Sequence, residues 1–251
     1  MAVCTINFYA KSLGTYADVE VLLPEVSTPP YGVLYLFHGL GGDRTTWRRC
    51  LPLARLAERL PLLVVMPDAG KSYYCNEPGL TGLPYEDHIV KDVIGLVDRT
   101  FPTIPERRGR VAAGVSMGGY GAMMLALRHP DVFCAASSHS GSLYFSSRPH
   151  PQGKKHQDAL AAALPPGQYD CFALAAAGRQ TTAAMPPLAP AIRFDCGTSD
   201  FLLPVNREFH EHLDKLALPH EYHEYEGGHD WKYWEAHFGE TLEFAVEQVQ
   251  T

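Results

Sequence analysis

Hydrophobic and polar positions along the chain alternate between short unbroken apolar runs and longer stretches of helical spacing. Val33-Leu34-Tyr35-Leu36-Phe37 and Leu62-Leu63-Val64-Val65-Met66 are apolar at every position. Runs of this kind belong to strands buried on both faces, the habit of a parallel sheet. Val111 to Val115, Val132 to Ser137 and Ile192 to Cys196 read as further strands. Between them, Leu51 to Leu60, Tyr85 to Phe101 and Met117 to Leu127 carry helical periodicity; in the second, Ile89, Val93, Leu96 and Val97 fall on one face. Later segments predict a helix from Pro204 to Leu216, a short strand near Tyr222 and a terminal helix from Asp230 to Val249. At the start, Val3 to Leu23 reads as two extended segments around the turn Ser12-Leu13-Gly14, and Asp18-Val19-Glu20-Val21 alternates as a half-buried strand does. Strands separated by helices require crossover connections. These build a mostly parallel sheet covered by helices on both sides, an α/β fold.

One stretch breaks the rhythm. From Ser142 to Pro190 the composition shifts to Ala, Pro, Gly and Gln, with Pro165-Pro166-Gly167 and Pro186-Pro187 as breakers. The strand–helix alternation resumes afterwards and completes the sheet, so residues 1–251 are expected to form a single domain with 142–190 inserted in it. Gln157 to Leu164 is the best helix candidate there. Insertions of this length are often lids or binding loops, with plain surface elaboration as the alternative.

Charge and composition remove whole classes of partner. The 251 residues carry a net charge of −7, and the sequence has no basic run. Nucleic acid and anionic membranes both call for a basic face, so neither is an expected partner. No apolar stretch approaches the roughly 18 residues of a membrane span. No basic-then-apolar leader precedes the first strand, and Cys4, Cys50, Cys75, Cys134, Cys171 and Cys196 show neither CxxC pairing nor zinc spacing. These features predict free thiols and a cytoplasmic protein; homo-oligomerisation is left open.

Gly114-Val115-Ser116-Met117-Gly118 matches G-x-S-x-G. Alone, the pattern recurs by chance in about one chain of this length in ten. Here it ends an apolar run and opens a helical segment, which is the strand-to-helix turn of an α/β-hydrolase nucleophile. The glycines relieve crowding, and the Ser116 hydroxyl projects above the strand end. A serine hydroxyl needs a base, and the base needs a carboxylate to orient it. In this fold the chain order is nucleophile, acid, histidine. Of twelve histidines, His229 lies in the glycine-rich loop Glu226-Gly227-Gly228-His229-Asp230-Trp231 between the last strand and the last helix. Asp200 follows the penultimate strand on a loop, whereas Asp195, the fallback acid, sits inside that strand; Asp230 is expected to point away from its neighbour. The loop His38-Gly39-Leu40-Gly41-Gly42 follows the first buried run, which makes Leu40 and Met117 the expected backbone donors to an oxyanion, with His38 bracing the loop. A phosphate-cradling reading of these glycines fails, because no Gly-Lys-Ser/Thr ending follows them. Tyr73, Tyr74, Trp47 and Trp231 are candidates for the pocket wall.

With these motifs together, joined by Met66-Pro67-Asp68, Ser72-Tyr73-Tyr74, Gly119-Tyr120-Gly121, Cys196-Gly197-Thr198-Ser199-Asp200-Phe201 and Gly228-His229-Asp230-Trp231, the chain resembles a family of α/β-hydrolase esterases. That family includes esterase D-like, tributyrin-type and feruloyl esterases, S-formylglutathione hydrolases and the mycolyltransferases. The resemblance implies a cofactor-free serine carboxylesterase with Ser116, Asp200 and His229 as triad and Leu40 and Met117 as oxyanion hole. Short-chain acyl or aryl esters are the expected substrates. The S-formylglutathione hydrolases carry Leu-Thr-Cys where this chain has Leu40-Gly41-Gly42, so a thioesterase is the second expectation. A non-catalytic binding protein on the same fold is the third.

Overall fold

In a computed structural model, the chain is described at all residues except 26, 78–81, 147–148, 150–151, 153–154, 179–187 and 251. Eight strands form one sheet: β1 (Ala2–Ala10), β2 (Thr15–Leu23), β3 (Gly32–Phe37), β4 (Leu62–Pro67), β5 (Arg110–Val115), β6 (Ala135–His139), β7 (Ala191–Gly197) and β8 (Glu221–Tyr225). Their spatial order is β1-β2-β4-β3-β5-β6-β7-β8. The β1–β2 and β2–β4 pairs are antiparallel, and every later pair is parallel. The first two strands form a hairpin whose turn closes with the Gly14 N–H donating to the Ala10 carbonyl at 2.9 Å, with Gly14 at a φ of 66°.

The unbroken apolar runs have the reason expected of them. Along β3, Val33, Tyr35 and Phe37 enter one core while Leu34 and Leu36 enter another. Successive side chains point to opposite faces, so a strand between two helical layers must be apolar throughout. One layer holds α4 (Ile94–Thr100), α5 (Met117–Arg128), α7 (Cys171–Gly178) and α8 (Leu203–Lys215). The other holds α1 (Thr46–Cys50), α2 (Leu53–Leu56) and α9 (Trp231–Gln250).

Four elements differ from their sequence reading. Of the helix expected at Leu51 to Leu60 only α2 forms; α1 lies before that range and ends at Cys50, because Leu51 precedes Pro52 and is extended (φ −127°, ψ 151°). The proline ring disfavours the helical region for the residue before it. The 85–101 helix is α3 (Tyr85–Asp87), a π-helical stretch over His88–Val93 and then α4, still with Ile89, Val93, Leu96 and Val97 buried. β6 starts three residues later than Val132 and runs to His139, since the Val132 and Phe133 amides close a turn on the His129 carbonyl. In the insertion the helix is α6 (Lys155–Ala163), joined by α7.

The described part of the insertion is anchored to α5 through a buried carboxylate. Glu86 accepts hydrogen bonds from Tyr169 Oη at 2.7 Å and Arg128 Nε at 2.8 Å, and meets His129 Nε2 at 2.6 Å. The Tyr120 hydroxyl donates to the Tyr169 carbonyl at 2.6 Å. Across the sheet, Asp195 is buried among His139, Arg193 and Tyr233. Burial alone would raise both carboxyl groups; the charges and donors around them outweigh it and hold each at about 2.

Two predictions follow from this packing. A methyl group on Gly118 would lie 2.3 Å from the Phe37 carbonyl oxygen and 2.7 Å from that of His38, whereas one on exposed Gly239 of α9 meets nothing within 4 Å. In urea titrations Gly118→Ala should lower stability by about 3 kcal/mol or more, while Gly239→Ala should raise it by about 0.5–1 kcal/mol. Near pH 7, Asp195 and Glu86 are ionised in both folded and unfolded chains. As pH falls from their ordinary values of 3.8 and 4.5 toward about 2, the unfolded chain takes up protons that the folded chain refuses, and stability is lost. Urea midpoints measured from pH 6 to pH 2 should therefore fall most steeply across that window, and less so for Glu86→Gln; a flat profile contradicts the assignment.

Candidate active site

The site is assembled where the parallel strands end. β5 stops at Val115 and α5 begins at Met117, leaving Ser116 alone to turn the chain, with φ 56° and ψ −114°. L-residues rarely occupy that region, and it persists only where the surroundings hold it. The Ser116 N–H donates to the His139 carbonyl at 2.9 Å, and its own carbonyl accepts from the amides of Tyr120 and Ser142, each at 3.0 Å. Gly114 and Gly118 face each other across the turn, where a methyl on Gly114 would sit 2.5 Å from the Gly118 backbone. Met117 is the first residue of α5, so its N–H has no acceptor within the helix and carries the positive end of the helix dipole.

Ser116, His229 and Asp200 are brought together. His229 Nε2 lies 2.9 Å from Ser116 Oγ, and Nδ1 lies 2.9 Å from Asp200 Oδ2. A carboxylate only accepts, so Nδ1 carries the proton and Nε2 is free to accept from the serine hydroxyl. The two loops that present the acid and the imidazole are tied to each other: the Ser199 N–H donates to the Gly227 carbonyl at 2.8 Å, and Thr198 N–H to that of Tyr225 at 2.8 Å. Asp200 is buried, and its second oxygen accepts from the Leu202 amide at 2.8 Å. The rings of Phe201 and Trp234 flank the imidazole at centroid distances of 4.7 and 5.1 Å.

The competing acids are otherwise engaged. Asp195 lies within β7, and its carboxylate is taken by His139, Arg193 and Tyr233 on the buried side of the sheet. Asp230 caps α9, accepting from the Tyr233 amide at 3.0 Å, and lies at the same cleft as His229.

The loop after β3 is braced from below. The His38 Nδ1–H donates to the Gly39 carbonyl at 2.9 Å, and its Nε2 accepts from the Ala69 amide at 3.1 Å. The Trp47 indole N–H donates to the Phe37 carbonyl at 3.0 Å, and the Tyr74 hydroxyl donates to that of His38 at 3.0 Å. Trp47 and Tyr74 are thus not pocket residues, contrary to expectation. Both are fully buried, because the last carbonyls of β3 leave the ladder and need donors that only the interior can provide.

A cleft of about 550 Å³ opens above Ser116 and His229. Of the four aromatic pocket candidates, Tyr73 and Trp231 line it, and so does Leu40, named as an oxyanion donor. Tyr73 is held by a 3.8 Å stack on Phe145, and Trp231 packs edge-on against Trp47. Arg49, Phe201 and Trp234 also line it, as do Cys50 and Ser142, and the sequence reading named none of these five for the pocket. Two were within reach: Phe201 follows the acid directly, and Trp234 stands one helical turn after Asp230. Nothing in the pattern of the sequence singles out Arg49.

The acetyl esterase of Caldicellulosiruptor saccharolyticus is 26% identical over 97% of this chain and 98% of its own length. Among solved structures, FphF, a fluorophosphonate-binding serine hydrolase of Staphylococcus aureus, superposes with a TM-score of 0.85 at 27% identity, covering 98% of each chain. The S-formylglutathione hydrolase FrmB of the same organism gives 0.81 at 27% identity, again over 98% of each chain. The family model described as "Putative esterase" matches residues 10–245, and the chain belongs to that family.

Proposed function

We propose that the protein is a serine carboxylesterase that hydrolyses short-chain acyl or aryl esters through an acyl-enzyme intermediate. The observation that carries this reading is the Ser116–His229–Asp200 chain of contacts, 2.9 Å at each link, opening into the cleft. Ser116 Oγ attacks the ester carbonyl carbon as His229 Nε2 takes its proton. Asp200 holds the tautomer and stabilises the imidazolium. The tetrahedral oxyanion is received by the N–H groups of Leu40 and Met117, and a donor of this kind typically contributes about 10²–10³ in turnover. Collapse expels the alcohol, protonated by His229. Water then attacks the acyl-serine with the same imidazole as base, and the carboxylic acid leaves.

A thioesterase acting on S-formylglutathione is the second reading, favoured by the likeness to FrmB. No helix among the described residues is long and apolar enough to cross a membrane, and all six cysteines are free thiols. Both features support the further reading that the enzyme works in the reducing cytoplasm.

Ser116→Ala should reduce kcat on p-nitrophenyl acetate by roughly 10⁶, with the fold intact by circular dichroism. A fluorophosphonate probe should label the parent protein at Ser116 and leave the variant unlabelled; labelling that persists moves the nucleophile elsewhere. Assayed side by side, p-nitrophenyl acetate should be turned over with a higher kcat/KM than S-formylglutathione. The reverse preference establishes the thioesterase instead.

A further inference from the structure

We propose that His210, Asp214 and His220 form a site for a divalent cation of the zinc class, at the end of the sheet opposite the cleft. His210 and Asp214 stand one turn apart on α8 and so share a face. His220 immediately precedes β8, at the end of that strand remote from the His229 loop. The turn that returns the chain is closed by the Ala217 amide on the Asp214 carbonyl at 2.8 Å and the Leu218 amide on that of Leu213 at 3.0 Å. It delivers the second imidazole against the first.

The atoms converge as a ligand set does. The His220 side chain is only 4% exposed, and its Nδ1–H donates to the Leu218 carbonyl at 2.8 Å. That bond fixes the tautomer and leaves Nε2 as an acceptor, the arrangement by which proteins orient metal-binding histidines. Nε2 accepts a hydrogen bond from His210 Nδ1–H at 2.8 Å, a proton that a bound cation would displace to use both nitrogens, and lies 3.9 Å from Asp214 Oδ1, while His210 Nε2 lies 3.6 Å from Asp214 Oδ2. One ligand atom from each residue lies within 4.8 Å of the other two. Ligands at tetrahedral zinc distances are about 3.3 Å apart, so small side-chain rotations close the site. Tyr222 stacks on the His210 ring at 4.7 Å and Phe194 on that of His220 at 5.8 Å, which limits the wrong rotations.

The donor chemistry chooses the ion. Two imidazole nitrogens and one carboxylate suit Zn²⁺, whereas Mg²⁺ and Ca²⁺ take oxygen ligands. Three protein ligands leave a position for water. Bound there, the ion ties α8 to the start of the edge strand β8. The spacing escapes a motif search because the ligands are set by a helical turn and a chain reversal rather than by a cysteine or histidine knuckle.

The test uses the full chain, stripped with chelator and desalted, then titrated with ZnCl₂ by calorimetry and thermal melting. The expected result is a single saturable site per chain, a melting temperature that rises with Zn²⁺, and no response to MgCl₂. Asp214→Asn, at an exposed carboxylate that the fold does not need, should weaken Zn²⁺ at least tenfold, and His210→Gln more. Hydrolysis of p-nitrophenyl acetate by the Asp214→Asn protein should equal that of the parent. If His220→Gln fails to fold, the other two variants decide the matter. No saturable Zn²⁺ binding, or binding that both variants retain undiminished, overturns the proposal.

Discussion

The backbone of Ser116 sits at φ 56° and ψ −114°, a conformation that costs an L-residue of order 1–3 kcal/mol, and packing on three sides keeps it there. From β6 comes the His139 carbonyl, which binds the Ser116 amide. From the end of β3 and the residue after it come the Phe37 and His38 carbonyls, against which Gly118 lies too close for any side chain. From α5 comes the helix itself, starting one residue later. The turn fixes where Ser116 Oγ stands, 2.9 Å from His229 Nε2, and leaves the Met117 N–H at the helix start without an acceptor inside α5.

The carbonyls that frame the turn are themselves held by side chains rather than by neighbouring strands. Trp47 and Tyr74, which look like pocket aromatics in the sequence, serve the last carbonyls of β3, and His38 ties the following loop to Ala69. His139 offers its backbone to Ser116 while its ring is clamped between Asp195 of β7 and Thr241 of α9. Thr241 continues to Ser137, and Arg193 joins Asp195 to Glu240. This polar network links β6 beside Ser116, β7 before Asp200 and α9 after His229. In a low-dielectric interior such a network is stiff when every member is paired.

Much of this was legible in the sequence, for identifiable reasons. Strands buried on two faces announce themselves as unbroken apolar runs, and a serine between glycines at a strand-to-helix junction has few other uses. Asp200 could be told from Asp195 because Asp195 falls in a strand and Asp200 beyond it, and only Asp200 meets His229. Local chemistry also explains what was misread. Pro52 keeps Leu51 extended between α1 and α2, so the helix expected from Leu51 starts at Leu53 and is short, and the turn at His129 delays β6. Side-chain direction was the harder matter. An aromatic residue near a strand end can line a cleft or prop a carbonyl, and periodicity does not distinguish Tyr73 from Tyr74 although they are adjacent and end on opposite sides of that choice.

The pairing of the two presenting loops carries a wider meaning. Ser199 and Thr198 donate directly to Gly227 and Tyr225, so the acid and the imidazole ride on one small continuation of the sheet rather than on independent arms. A substitution that breaks either amide–carbonyl pair would therefore be felt at the 2.9 Å contact between Asp200 and His229, although it touches neither side chain.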